Sequence, residues 1–419
     1  METLRDTAIA MFEAAVARAD PAPALRAQLE AAPLPPLPEG GRDVLLAVGK
    51  AAVPMLREAL RLRPGAAAAL AITNPENHTE IPGATVLCGA HPVPAETSAA
   101  AGQAAIDLAQ SLGPKDRLIA LISGGGSALM VAPAPGLTLA DKAAVNQLLL
   151  ASGLEINDMN LVRQQLSDLK GGGLLRHAGL AQVQAYILSD VIGDDLRAIA
   201  SGPTVAPIGT RAEAKDILQR AGLWERAPEA VKNHLSAPEA AQDAPLQATN
   251  TLIGSNRHSL KAMIAAVPEW QPRLITHRLT GDVAAAAETV LAAAEAAPND
   301  RPVALVFGGE TTVQLQGRGL GGRNQELALR VAKLGAARLD GEWLFLSGGT
   351  DGRDGPTGAA GGIATPCTWE AIRAAGQDPE ALLANNDSHA ALQAADALLI
   401  TGGTGTNVAD VQVFLRRPS

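Results

Sequence analysis

Short runs of Val, Ile and Leu recur along this chain, each stopping at Gly, Ser or Asp, and Ala-rich helical stretches separate them. No other feature restricts the fold as much. The runs are Val44–Val48, Leu118–Ile122, Tyr186–Leu188, Val303–Phe307 and Trp343–Leu346. Apolar runs of this length without polar alternation suit strands buried on both faces, and their alternation with helices predicts an α/β fold with largely parallel sheets. In such sheets ligands bind in the loops at the carboxyl ends of the strands. A chain of 419 residues exceeds one ordinary core, so two domains are expected. The aperiodic, Pro- and Ala-rich stretch SAPEAAQDAPLQA predicts a linker at 236–248, dividing a domain at 1–235 from one at 249–419. The Pro-rich stretch at 33–41 reads as a loop before the first strand, and no fixed-period repeat is present.

Composition removes several classes. The net charge of −9 argues against a nucleic-acid surface, and a negative chain that binds a polyanion must concentrate Lys and Arg locally. Aromatic residues make up only 2% of the chain, so glycine-built loops matter more than aromatic clusters. Cys88 and Cys367 have no CxxC spacing, which suggests neither a disulfide framework nor zinc and fits a reducing, cytoplasmic setting. The opening METLRDTAIAMFEAAVARAD carries charge in every turn and reads as an amphipathic helix, not a signal peptide. No apolar stretch suits a membrane span. The seven His residues lack ligand spacing, and no GxSxG elbow is present.

Six motifs could carry chemistry. In LIALISGGGSALM a strand runs through Ser123, Gly124, Gly125, Gly126 and Ser127 into a helix; converging N–H groups there form a phosphate or carboxylate cradle, or merely a tight turn. The missing GK[ST] ending excludes a Walker A loop. Lys50 follows the strand VLLAV, where it could neutralise a transferring phosphoryl group or simply be solvated. In LSDVIGDDLRAIASGPTV, Asp190, Asp194 and Asp195 lie near Gly202 and Thr204; they could hold Mg²⁺, accept a hydroxyl proton or cap a helix. Gly317, Gly319 and Gly322 formally fit GxGxxG, but their context favours a flexible loop delivering Arg323 to an anion. Asp351 and Asp354 could bind metal or ribose, or stabilise turns. Thr404, Gly405, Thr406 and Asn407 could meet anions or sugar hydroxyls.

AVGKAA, HPVP, LISGGGSAL, LSDLKGG, LSDVIGDD and IASGPTV resemble the glycerate 2-kinase family, and GGETTV, GGRNQELAL, TDGRDGPTGAAGG and TGTNVAD resemble its MOFRL domain. The likeness runs in order from about residue 44 to the end. It implies a Rossmann-like N-terminal α/β/α domain, a smaller C-terminal α/β domain of the MOFRL type, and an active site in the cleft between them. It further implies that Lys50 and Arg323 form a catalytic pair facing each other across that cleft. Ser123 to Ser127, Gly202, Thr204, Glu310 and Thr404 to Asn407 then belong to the nucleotide side, and Asp190, Asp194 and Asp351 to the metal. Two departures from the family pattern stand out: Gln165 where a His is expected, and Gly403 where a Pro is expected.

The resulting expectation is ATP- and Mg²⁺-dependent phosphorylation of glycerate at its 2-hydroxyl, with Asp190 orienting or deprotonating that hydroxyl. An NAD(P)H-dependent hydroxypyruvate reductase is the alternative, although the first strand ends in GKAAVP and not in a dinucleotide fingerprint. A non-catalytic nucleotide-binding regulator is the third reading. Glycerate is the expected partner, without nucleic acid or membrane, and a homo-oligomer is left open.

Overall fold

The computed structural model describes residues 3–238 and 248–418. These divide into two compact units. The first comprises Pro21–Leu188 and Asp194–Ile253; the second comprises the residues up to Asp20, Ser189–Gly193 and Gly254 onward.

The first unit is built on six strands: β1 (Asp43–Val48), β2 (Ala68–Thr73), β3 (Thr85–Cys88), β4 (Arg117–Ile122), β5 (Gln182–Leu188) and β6 (Thr249–Gly254). Their order in the sheet is β3-β2-β1-β4-β5-β6, with β1 to β5 pairing in parallel. β1 and β4 lie in the middle because almost every side chain in DVLLAV and RLIALI is apolar and buried. Their polar first residues are used rather than wasted: the Arg117 guanidinium forks onto Asp43 at 2.7 and 3.1 Å and donates to the Pro35 carbonyl. A separate helical core, with Leu149, Val162, Leu218 and Leu235 at its centre, packs the helices Leu139–Leu150, Ile156–Gln165, Arg211–Arg220 and Glu229–Ser236.

The second unit carries β7 (Arg273–Asp282), β8 (Val303–Thr312), β9 (Trp343–Gly349), β10 (Gly361–Ala364), β11 (Leu398–Leu399) and β12 (Asp410–Arg416) in the order β11-β10-β9-β12-β8-β7. Only β7 and β8 pair in parallel; β8–β12, β12–β9, β9–β10 and β10–β11 are antiparallel. The expectation of largely parallel strands therefore holds for the first sheet and fails for the second. β12 shows the cause. It is buried on both faces, so it lacks the polar alternation that marks a one-sided antiparallel strand. Val411, Val413 and Leu415 enter one core and Phe414 the other.

The first of those cores explains why the opening helix, Leu4–Arg18, groups with the C-terminal segment and not with the 1–235 domain expected from the sequence. It buries Leu4, Ala8, Met11, Phe12 and Ala15 against Leu260 and Met263 of the helix Asn256–Ala266 and against that sheet face. The helices Val283–Glu295 and Arg323–Arg338 cover the opposite face. Of the expected linker at 236–248, residues 239–247 lie outside the described residues. Among the described residues no helix is long and apolar enough to cross a membrane.

Candidate active site

In the first unit, the loops after β1 and β4 are bound to each other through main chain. Ser123 N–H donates to the Val48 carbonyl and Lys50 N–H to the Gly124 carbonyl, both at 2.9 Å, while Ala51 N–H donates to Ser123 Oγ at 3.1 Å. Gly49 makes this crossing possible. Its φ is +117°, and a Cβ there would lie 2.2 Å from Ser123 Oγ. Gly125 is equally constrained: at φ +83°, its missing Cβ would lie 3.2 Å from Lys50 Cγ and 3.4 Å from His91 Cδ2. Lys50, Ser123 to Gly125 and His91 are thus one cluster. Burial, reinforced by the Lys50 charge, lowers the affinity of His91 for a proton, so the imidazole is neutral at neutral pH. His91 has no ligand spacing in the sequence; the signal that marks it is the HPVP motif.

The helix expected after the SGGGS loop is a single turn, Gly126–Leu129. Its dipole therefore adds little, and the cradle rests on the loop itself. A Cβ on Gly126 would meet Ala200 Cβ at 2.9 Å, and Ser127 Oγ lies 2.6 Å from Ser201 Oγ. Ala200 and Ser201 hold left-handed φ angles of +48° and +61°, a strained conformation for residues with side chains. Gly202 (φ +66°) completes this tight segment. Thr204 is buried, and its hydroxyl donates to Asn250 Oδ1 at 2.7 Å, which engages it with β6. The Gln165 amide bonds the Gly209 carbonyl, so the departure from His has a local partner.

The clustered aspartates separate. Asp190 belongs to Ser189–Gly193 of the second unit, whereas Asp194 and Asp195 belong to the first. Asp195 forms a fork with Arg197 at 3.0 and 2.9 Å, which lowers its carboxyl below the usual range.

In the second unit Arg323 opens the helix Arg323–Arg338, as expected. Its Nε lies 2.6 Å from Asp410 Oδ2, its Nη2 lies 3.0 Å from Asp410 Oδ1, and its Nη1 lies 2.7 Å from Glu310 Oε1. These contacts occupy three of the five guanidinium N–H groups and leave two for an incoming anion. Asp410, at the start of β12, is 1% exposed; burial pushes its carboxyl up to about 6 against the opposing pull of Arg323. No motif reading singled out Asp410, although it ends TGTNVAD as an acid entering a buried apolar strand.

Asp354 turns out to be a capping residue. It accepts from Asn324 N–H at 3.1 Å and Gln325 N–H at 2.8 Å, and a Cβ on Gly322 would strike its carboxylate. The loop expected to be flexible is pinned: Gln316 and Gly317 N–H donate to Asn386 Oδ1, Gly319 N–H to the Asn385 carbonyl, and Leu320 N–H to Asp387. It therefore has the wrong partners for a dinucleotide fingerprint. Thr404 and Thr406 donate to the carbonyls of Thr350 and Ala19 at 2.5 and 2.6 Å, and Asn407 accepts from Ala409 N–H. At Gly405 (φ +77°) and Gly403 a Cβ would meet nothing within 4 Å, so the space around the loop is open at both. Asp351 accepts from Arg353 N–H at 3.0 Å. Among the described residues no group of three His, Cys, Asp or Glu side chains is gathered to hold a metal.

Family models match at two places: a domain of unknown function, DUF4147, over residues 7–236, and the MOFRL family over residues 303–410. The chain is 36% identical to the D-glycerate 2-kinase of Thermotoga maritima over 386 residues, 89% of this chain and 90% of that one. It is 38% identical over 428 residues to a putative hydroxypyruvate reductase of Agrobacterium vitis, 97% of this chain and 93% of that one. A solved glycerate kinase from Thermotoga maritima superposes with a TM-score of 0.90 at 34% identity, covering 99% of this chain and 100% of the other.

Proposed function

The chain belongs to the glycerate kinase family, in which a DUF4147 domain precedes a MOFRL domain, and from that premise we propose that it transfers the γ-phosphate of ATP to the 2-hydroxyl of D-glycerate. The observation that carries the reading is the Arg323 fork. A buried carboxylate fixes its plane, and two of its N–H groups remain for the oxygens of a phosphoryl group. Lys50, held against the glycine loop, supplies a second cation. In the reaction the 2-hydroxyl oxygen bonds to the γ-phosphorus as the bond to the β,γ-bridging oxygen breaks, and the proton leaves toward Asp190. Phosphoryl transfer needs positioning and charge neutralisation more than covalent chemistry, and the two cations provide those. Ser123 to Ser127, Gly202, Glu310 and the Thr404–Asn407 loop are the residues we assign to the nucleotide side. Thr204 supports them through Asn250.

One or two carboxylates of this chain would hold a Mg²⁺ carried by ATP, and the ion would supply charge neutralisation at the phosphates. Asp190, Asp194 and Asp351 are the candidates, and so small a ligand set suits a cation carried by the nucleotide. A cytoplasmic setting fits the free thiols of Cys88 and Cys367 and the need for ATP.

The test is ADP release with D-glycerate, with the phosphate position read by ³¹P NMR. The reading predicts 2-phosphoglycerate; ATP binding without product would refute it. The Agrobacterium vitis relative's name supports a second reading, reduction of hydroxypyruvate. It predicts loss of NADH absorbance on mixing. The pinned Gly317–Gly322 loop and the GKAAVP end of β1 argue against it.

A further inference from the structure

Three basic side chains gather in the first unit with no acid among them. Lys142 lies in the first turn of the helix Leu139–Leu150, Arg163 in the last turn of Ile156–Gln165, and Lys170 just beyond it in LSDLKGG. Lys142 Nζ donates to the Leu166 carbonyl at 2.8 Å. Arg163 Nε donates to Asn146 Oδ1 at 2.9 Å, one helical turn along from Lys142. Among the described residues the Lys170 ammonium has no hydrogen-bond or ion-pair partner, and none of the three cations has a carboxylate partner. The acid of the same motif, Asp168, is taken by His177 at 3.0 Å and Arg176 at 3.6 Å.

Such an arrangement is unfavourable by itself. All three residues are partly exposed, so solvent reaches the cluster. Burial, and then repulsion from its neighbours, lowers the proton affinity of Lys142, and the same two causes bring Lys170 down to about 8. Like charges that face one another with no carboxylate between them repel, and a bound anion would relieve that repulsion. The cluster is also tied to the candidate site. Gly171, next to Lys170, donates its N–H to the Ser201 carbonyl at 3.0 Å, and the Ser201 hydroxyl meets Ser127 of the glycine loop. Gln164, next to Arg163, donates to the same Ser201 carbonyl at 3.1 Å.

We propose that Lys142, Arg163 and Lys170 form an oxyanion-binding cluster that holds one substrate of the transfer reaction by its carboxylate or phosphate oxygens. The proposal rests on the kinase reading. Its two sources are the glycerate carboxylate and the ATP phosphates.

The test compares the full-length parent with Lys170→Met and, as a second variant, Lys142→Met. KM is measured for D-glycerate and for ATP, and thermal unfolding is followed with and without inorganic phosphate. Losing one charged hydrogen-bond donor should raise the KM of one substrate by roughly 10- to 100-fold. A rise for glycerate identifies the carboxylate, and a rise for ATP identifies the phosphates. Removing an uncompensated cation should also leave the ligand-free melting temperature unchanged or higher, and abolish the protection that phosphate gives the parent. Lower stability with both KM values unchanged would mean a structural role and overturn the proposal. If the parent makes no phosphoglycerate, the kinase reading fails separately. Phosphate protection, present in the parent and lost in the variants, then decides whether the cluster binds anions.

Discussion

Replacing Asp410 with Asn tests how the second unit aims its guanidinium. The carboxylate holds Arg323 through two N–H groups at 2.6 and 3.0 Å, with Asn324 and Asp354 as its other polar and charged neighbours. An Asn offers one acceptor and turns an NH₂ toward a group that can only donate. If Arg323 loses its aim, the expected loss is that of one preorganised transition-state donor, about 2.7–4 kcal/mol or roughly 10²–10³ in kcat. Acidity should act in the same way. Burial raises Asp410 from 3.8 to about 6, so its ionisation costs the folded state about 3 kcal/mol relative to the unfolded chain. The sign follows from the direction of the shift. Below the unfolded value both states are protonated and the cost is absent; it builds as pH rises toward 6 and is complete above it. Activity should run the other way, since protonation releases Arg323. The parent's kcat should fall as pH drops through about 6, whereas Asp410→Asn should be slow throughout and lack that limb. ADP release from pH 5 to 8, with circular dichroism to verify folding, measures both. A folded Asp410→Asn variant with parental kcat and an intact acid limb would refute the argument.

Other outcomes follow from the same geometry. Lys50→Met should lower kcat by roughly 10²–10³ while leaving the melting temperature near the parent's, which steady-state kinetics and calorimetry together check. Arg323→Lys keeps the charge but cannot fork onto Asp410 and a phosphoryl group together, so it too should be slowed; a parental rate would show that bidentate contact is dispensable. Gly49→Ala puts a methyl 2.2 Å from Ser123 Oγ at a φ of +117°, and should destabilise the fold by about 2 kcal/mol or more in urea unfolding. An unchanged midpoint would refute the close-approach argument.

The features legible in the sequence were those with a local signature. The runs later seen as β1, β4, β8 and β9 show themselves by continuous apolarity, and Arg323 by a helix start after glycines. Direction of pairing has no such signature, because β12 is as apolar as a parallel strand, and so the sequence does not announce the antiparallel second sheet. Nor does the amphipathic pattern of Leu4–Arg18 say which core it covers; Met11 and Phe12 find Leu260 and Met263 far along the chain. The site divides in the same way. Glycines at 49 and 125 announce a tight loop, but the partners of Lys50 and Arg323, His91 and Asp410, are 41 and 87 residues away. Separation along the chain likewise hid the capping role of Asp354 and the bond from Lys142 to the Leu166 carbonyl.

Whether residues 50 and 323 stabilise one transition state is measured most directly by a double-mutant cycle. The kcat of glycerate phosphorylation is compared for the parent, Lys50→Met, Arg323→Met and the double variant. The account predicts a drop of roughly 10²–10³ for each single change, and a double variant far less impaired than the product of the two, because groups that act as a unit are not additive. Fully multiplicative losses, or a single variant as fast as the parent, would contradict it.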